Sequence, residues 1–520
     1  MKQKGSFGSQ LIGGSLFSSL LMLLIRIPLS RIIGDMGMGY VSVGIEIVTV
    51  FSIGLSYGMA RAVTGLVKYY VRRDLLHQAR MACRKSILLI LGITIPLSAG
   101  MILFSQQAAK LFAMEYLGYM ALAAAAPMIC FSGLSGVMRG YFQGVGRTAY
   151  AINSRLLEVM MAAVTIPVIA FLMYRYGEKV AALLKYPGYA AAYGAMGACF
   201  GLTLAGAVSV ICLLVLCVAD RIQASHGQKQ GQMGGQRERS VRVLPVLLGT
   251  GLPYAACGVI YNLHFLVDQR IFYWMMEGKE GAGPVFWGIY YGKYSTLTGI
   301  AGILCAMAGW KGMREVVKHY ERQDIDMARR RLRRTVHQVS LISIPAAVLI
   351  AVLAEPVSAL LFTGTQKTAV ELLRSGSGAV VLFAFAYLFM GILLRLRKTY
   401  LTAAVAAGSF LIHLLILYLL LSGKQQGVQA VVWSMMVFWF LNAAAGLLLL
   451  RKYIGYRPRW IKSLLFPLAA AAAAGAVSLL LCQLLAGIGS SFVVLLLSLG
   501  VGVIVYYFML ILLDRIVIRK

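Results

Sequence analysis

Charge is scarce in this sequence, and acidic charge scarcer still. Of 520 residues only 13% are Asp, Glu, Lys or Arg, and 18 acidic residues stand against 49 basic ones. A soluble domain carries about 25% charged residues, so the three or four soluble domains suggested by length alone do not fit. Cysteine is sparse too, and its placement excludes more. Cys83, Cys130, Cys199, Cys212, Cys217, Cys257, Cys305 and Cys482 fall in apolar segments or a basic loop. They form neither a CxxC pair nor a Cys/His cluster, which argues against a metal centre and against structural disulfides. No cofactor is expected. The N-terminal "MKQKGSFGSQLIGG" lacks a small-residue cleavage site after a short apolar core. It reads as an uncleaved first helix and not as a signal peptide.

Apolar residues fill the space that charge leaves. They make up 60% of the chain and raise the mean hydropathy to +0.79, the composition of a polytopic helical membrane protein. Windows of about 20 apolar residues cross the hydrocarbon core as helices. Fourteen occur, near 10–33, 39–65, 86–108, 117–140, 150–174, 189–219, 243–268, 285–309, 336–362, 377–396, 400–422, 427–450, 461–486 and 490–514. The even-numbered connections and the two termini hold 36 of the 49 Lys and Arg, and the odd-numbered connections nine. Positive loops face the cytoplasm, which places both termini and the even loops inside. The formal charge of +31 then needs no nucleic acid.

The two halves repeat. "ITIPLSAGMILFSQQAAKLF" (93–112) echoes "ISIPAAVLIAVLAEPVSALLF" (342–362) at an offset of about 249 residues, and "GRTAYA" (146–151) echoes "RKTYLT" (397–402). Six helices, an even number, separate the copies, so both have the same orientation. The expected fold is all-α: two parallel six-helix lobes and two further C-terminal helices. The lobes are expected at 1–222 and 243–450, with a cytoplasmic linker at 223–242 and the helix pair at 451–520.

Three segments carry a family resemblance. "RIPLSRIIGDMGMGYVSVGIEIVTVFSIGLSYGMARAVTGLVKYYVRRD", "MRGYFQGVGRTAYAINSRLLE" and "LAEPVSALLFTG" resemble signatures of the stage V sporulation protein B group. That group belongs to the multidrug/oligosaccharidyl-lipid/polysaccharide (MOP) exporter superfamily, with the MviN-type lipid II flippases and the MATE-like drug antiporters. The resemblance implies a two-lobed transporter alternating access to a central cavity, with the last helix pair associated with a groove for a lipid tail. Two departures stand out. The helix 5 glutamate is followed by "VMMAAV" in place of Q-x-x-R, and helix 8, "YYGKYSTLTGIAGILCAMAGWKGM", lacks the usual proline and P-x-x-S ending. A reassigned substrate or a divergent paralogue would account for both.

Charges inside the spans are costly and mark pathways by default. At 1.5 Å per residue, Arg26, Glu46 and Lys293 all lie ~10–12 Å below the outer surface. Asp268 and Arg270 mark the outer end of helix 7, Glu158 the inner half of helix 5 and Arg61 the inner end of helix 2. In one reading these are structural: Arg26 pairs with Glu46, Asp268 with Lys293 or Arg270, and Arg31 and Arg61 snorkel to the interfaces. In the other, Arg26, Arg61 and Lys293 line a cavity and hold an anionic head group. A guanidinium fork suits diphosphate oxygens and a lysine supplies a compact charge. The resemblance favours the second reading, since the lipid II branch carries essential basic residues in helices 1, 2 and 8. Glu46, Glu158 or Asp268 would serve as counter-ions or take up a coupling cation, H+ or Na+. For Glu158 the structural alternative is an intrahelical pair with Arg155. Pro28, Pro96, Pro253 and Pro345 are expected to kink their spans, "GAMGACFG" (194–201) to pack closely, and "FWGIYY" and "IFYWMM" to form an interfacial aromatic belt.

These features point to a flippase for a polyprenyl-diphosphate-linked oligosaccharide, a cell-wall precursor or surface polysaccharide unit, in the bacterial plasma membrane. Its partners would be that substrate and the surrounding lipids. A cation-coupled multidrug antiporter is the alternative, although it calls for an acidic cavity. A membrane-embedded glycosyltransferase fits less well. The longest outer loop, about 269–284, is short and carries no paired carboxylates, so no enzymatic activity is expected.

Overall fold

The computed structural model describes residues 4–113, 117–227, 243–276, 282–364, 366–423, 427–458, 460–485 and 491–518. Among these residues every regular element is a helix. Hydrocarbon offers the backbone no hydrogen-bond partner, so an apolar run of this length satisfies its N–H and C=O groups internally. Ten described helices are long and apolar enough to cross a membrane, or twelve when two bent pairs each count as one span. The chain is therefore a multi-pass membrane protein. One of the ten, Leu16–Val71, has 56 residues. That is about 84 Å at 1.5 Å per residue, more than twice the hydrocarbon thickness. Gly34 breaks it with φ 70° and ψ −176°, a conformation open to glycine and strained for other residues. The observed number is consistent with the fourteen spans expected.

The internal repeat is visible in the helix ends. Leu76–Leu103 stops at Phe104, whose N–H donates to the Gly100 carbonyl, before Ser105–Ala113 begins. Ile325–Val352 stops at Leu353, whose N–H donates to the Leu349 carbonyl, before Ala354–Leu361 begins. The offset is the same 249 residues. It recurs in the tight turns that start these helices, where Asp74 (φ 58°) matches Gln323 (φ 63°). Pro96 and Pro345 hold equivalent places within them. At a further expected bend, Leu244–Leu252 and Tyr254–Met275 meet at 41°.

The chain divides into two compact units. One comprises Met1–Ile25 and Tyr40–Tyr273, the other Arg26–Gly39 and Trp274–Lys520. In the first, Val63, Val67, Tyr70, Ile90, Val137, Phe142 and Leu213 form a buried core. Its helices Thr148–Leu184 and Gly188–Gly227 pack through the small residues of 194–201. A β-carbon at Gly197 would lie 2.6 Å from the Ile169 carbonyl oxygen and one at Gly201 2.7 Å from that of Thr165. In the second, the C-terminal helices Phe466–Leu484 and Ser491–Ile518 pack on Ile325–Val352 around Ile344, Ala470, Ala474 and Tyr506. The Tyr506 hydroxyl donates to the Leu341 carbonyl at 3.0 Å.

Candidate functional site: cations within the spans

Segment 26–39 lies against a helical stretch whose central turn, Tyr290–Tyr294, is π-helical. Glycines allow the two backbones to approach. A β-carbon at Gly288 would sit 1.7 Å from the Asp35 carbonyl oxygen, and one at Gly39 2.1 Å from that of Pro284. A π turn adds a residue to the helical circuit and shifts the side chains that follow; such turns concentrate at functional sites. Here two of its side chains meet the 26–39 segment. Lys293, 1% exposed, places Nζ 2.9 Å from Asp35 Oδ1 and donates to the Thr363 carbonyl at 2.7 Å. The Arg26 guanidinium stands 3.9 Å from the Tyr291 ring centroid, and its Nη2 donates to the Tyr291 hydroxyl at 2.8 Å. Arg31 instead donates to the carbonyls of Leu360 and Leu361. A cation is favourable there, because the last carbonyls of Ala354–Leu361 carry partial negative charge.

These contacts change the expected inventory. Lys293, which the sequence alone matches to Asp268, pairs with Asp35; Asp35 falls between the expected spans 10–33 and 39–65. The aromatic belt is not where it was expected: Trp287, Tyr290 and Tyr291 are at most 2% exposed. Tyr291 meets Arg26, and the Trp287 and Tyr290 rings lie 5.0 Å apart. Of the second aromatic run, Phe272 and Tyr273 are buried and Trp274 is half exposed.

The other expected residues lie in the first unit. Arg61 is exposed, with its guanidinium 5.1 Å from the Tyr254 ring centroid. Glu46 is buried at 5% exposure. Asp268 is buried with His264, whose Nδ1 lies 3.9 Å from Asp268 Oδ2. Arg270 donates to the Lys110 carbonyl at 3.0 Å. Glu158 is held from both sides. Arg155, one turn away, reaches Oε1 at 2.6 Å, and Arg139 reaches Oε2 at 2.5 Å. Arg139 also donates to the hydroxyls of Ser154 (3.0 Å) and Ser209 (2.8 Å), tying three helices together. Arg139 falls at the inner end of the expected span 117–140, and no spacing signal marked it as the partner of Glu158.

Two cations stand apart chemically. Among the described residues Arg26 and Arg61 meet tyrosine rings and no carboxylate. A guanidinium has five donors, and a ring face attracts it without neutralising its charge. Among the described residues no three His, Cys, Asp or Glu side chains come together to hold a metal ion.

The sequence profile of the family described as polysaccharide biosynthesis protein matches residues 8–310, more than half of the chain. The chain belongs to the polysaccharide biosynthesis protein family. No curated protein matches it in sequence. The fold of this family member is similar to that of the lipid II flippase MurJ in an inward closed conformation. The TM-score is 0.68 at 12% identity, covering 98% of this chain and 99% of that one. It is also similar to a multidrug resistance MATE family transporter of the MOP superfamily in an inward-facing conformation, with TM-score 0.63, 14% identity and coverage of 84% and 94%. A MOP superfamily transporter from Pyrococcus furiosus matches at TM-score 0.56 and 15% identity, with coverage of 86% and 94%. The chain thus has the helical fold of MOP superfamily transporters, as the sequence resemblance implied.

Proposed function

We propose that this polysaccharide biosynthesis protein is a flippase for a polyprenyl-diphosphate-linked oligosaccharide, moving it across the bacterial plasma membrane by alternating access. The observation that carries this reading is the chemistry of Arg26 and Arg61: two guanidinium groups in apolar spans, each on a tyrosine ring and neither beside a carboxylate among the described residues. Such groups suit the oxygens of a diphosphate, which guanidinium binds bidentately. Lys293 stands two residues from Tyr291, the ring that Arg26 meets, but Asp35 and Thr363 engage its ammonium, so its part in this reading is to fix Tyr291 and Arg26 in place. The protein performs no bond chemistry in this reading, and the sugars cross while the polyprenyl tail stays in lipid. Both termini face the cytoplasm in this reading, which the distribution of basic loops supports. The similarity to the MurJ fold supports the substrate class, since that protein is a lipid II flippase.

A coupling cation, H+ or Na+, would be taken up by Glu46 or Asp268. Glu158 is a poorer candidate, because two arginines already engage its carboxylate. The MATE-like fold supports a second reading, cation-coupled drug export, which the unneutralised arginines oppose. The deciding experiment is flipping of a fluorescent polyprenyl-diphosphate sugar in reconstituted vesicles. Arg26→Gln and Arg61→Gln should each slow it at least ~10-fold, the loss of about 1.4 kcal/mol of charge-assisted bonding. Wild-type rates in both variants would sink the assignment.

A further inference from the structure

Arg61 is the innermost member of a longer basic face. Gly65, Lys68 and Arg72 follow it at spacings of four, seven and eleven residues. At 100° per residue all four fall within about 40° of one line along the helix, over about 16 Å of rise. All four are exposed. At the far end Gly65, Lys68, Tyr69, Arg72 and Arg73 line a cavity of about 320 Å³. Arg73 lies over the Tyr69 ring, 4.3 Å from its centroid. Among the described residues Lys68 and Arg72 bond to no carboxylate. Gly65 leaves the floor open, since a β-carbon there would meet nothing within 4 Å. By the charge rule this end lies at the cytoplasmic surface, where a lipid-linked precursor is presented.

We infer that the cavity at Lys68, Tyr69, Arg72 and Arg73 is a capture site for the diphosphate of the lipid-linked substrate, from which the head group passes along the helix face to Arg61. This rests on the transport reading above and adds to it a first binding step outside the spans. Three cations on one open surface raise the local concentration of an anion and speed its arrival, an effect that salt screens. Arg61, on its tyrosine ring about 10 Å deeper along the helix, then retains what the surface collects. The face selects for charge density, so a diphosphate is favoured over the single phosphodiester of a bilayer lipid.

The test uses the full chain in phosphatidylcholine nanodiscs with geranylgeranyl diphosphate as probe. Lys68→Gln combined with Arg72→Gln should slow association about tenfold at low salt, leave dissociation within twofold, and markedly weaken the salt dependence of association. Lys68→Arg should keep the wild-type rate. Gly65→Leu removes no charge and meets no neighbour at its β-carbon, yet fills the cavity floor, and should slow association as the double variant does. Unchanged association in both the charge-removing and the cavity-filling variants overturns the capture site. If phosphatidylglycerol in the nanodisc displaces the diphosphate from the wild type, the cavity is a site for bilayer lipid and the inference also fails. Loss of retention in Arg61→Gln with normal association in Lys68→Gln/Arg72→Gln would leave the transport reading standing and remove only the capture site. A wild-type protein that binds no diphosphate probe would remove both.

Discussion

Lys293 gives up its water shell inside the protein and gains Asp35 and the Thr363 carbonyl in exchange. An ion pair that is broken on one side leaves a buried charge uncompensated, at a cost of about 3–5 kcal/mol, whereas replacing both partners by apolar groups is often tolerated. Asp35→Asn should therefore lower the thermal midpoint in detergent far more than Asp35→Leu combined with Lys293→Met. A double variant as unstable as the single one would show that the pair does more than neutralise itself. Glu158 offers a second case. Removing its charge strands Arg139, whose side chain is 14% exposed, while Arg155, at 38%, can reach water. Glu158→Gln should cost about 3–5 kcal/mol and Arg155→Gln under about 1 kcal/mol, compared by chemical unfolding of the purified protein. Such pairs were only half legible in the sequence. Arg155 stands three residues from Glu158 and helix geometry alone matches them. Asp35 and Lys293 are 258 residues apart, and only the break at Gly34 and the π turn at 290–294 bring them together.

At the scale of elements, glycine separates close packing from open lipid-facing helix. Gly288 lets the helix Ala282–Ile289 approach the Asp35 carbonyl so closely that a β-carbon would stand 1.7 Å from it. Gly92, inside Leu76–Leu103, would meet nothing within 4 Å. Gly288→Ala should force the segments apart and destabilise the protein by about 1–3 kcal/mol or more. Gly92→Ala should be neutral or stabilising by up to about 1 kcal/mol through helix propensity. Differential scanning of the two variants side by side checks the contrast, and equal effects would refute it. Composition identifies both as glycine in an apolar run, and no periodicity tells them apart. What the sequence did display at this scale was repetition. The shared offset of 249 residues reappears in the breaks at Phe104 and Leu353 and in the turns at Asp74 and Gln323, because the same local chemistry bends each copy.

For the whole molecule the informative property is where cations are placed. Thirty-six of 49 Lys and Arg sit in alternate connections and at the termini, a bias that sets insertion because moving a basic loop across the bilayer is unfavourable. Hydropathy is a property of whole segments, which is why the multi-pass helical architecture was readable without any knowledge of side-chain contacts, and the charge bias yields an expected orientation in the same way. The consequence can be measured directly. A phosphatase that folds only outside the cytoplasm should be active when fused after Pro187, in the turn that follows the helix Thr148–Leu184. It should be inactive after Gln323, in the turn that precedes Ile325–Val352. The reverse pattern would invert the protein and put Lys68 and Arg72 on the outer face, where a cytoplasmic precursor never meets them. Activity at both positions would mean an even number of crossings between them, against the three spans expected at 189–219, 243–268 and 285–309. The connection 310–335 that follows them holds nine basic residues. Replacing five of them, Arg329, Arg330, Arg331, Arg333 and Arg334, by glutamine should weaken that anchor and raise the phosphatase signal after Gln323, whereas replacing Lys367 and Arg374 in an outer connection should leave it unchanged.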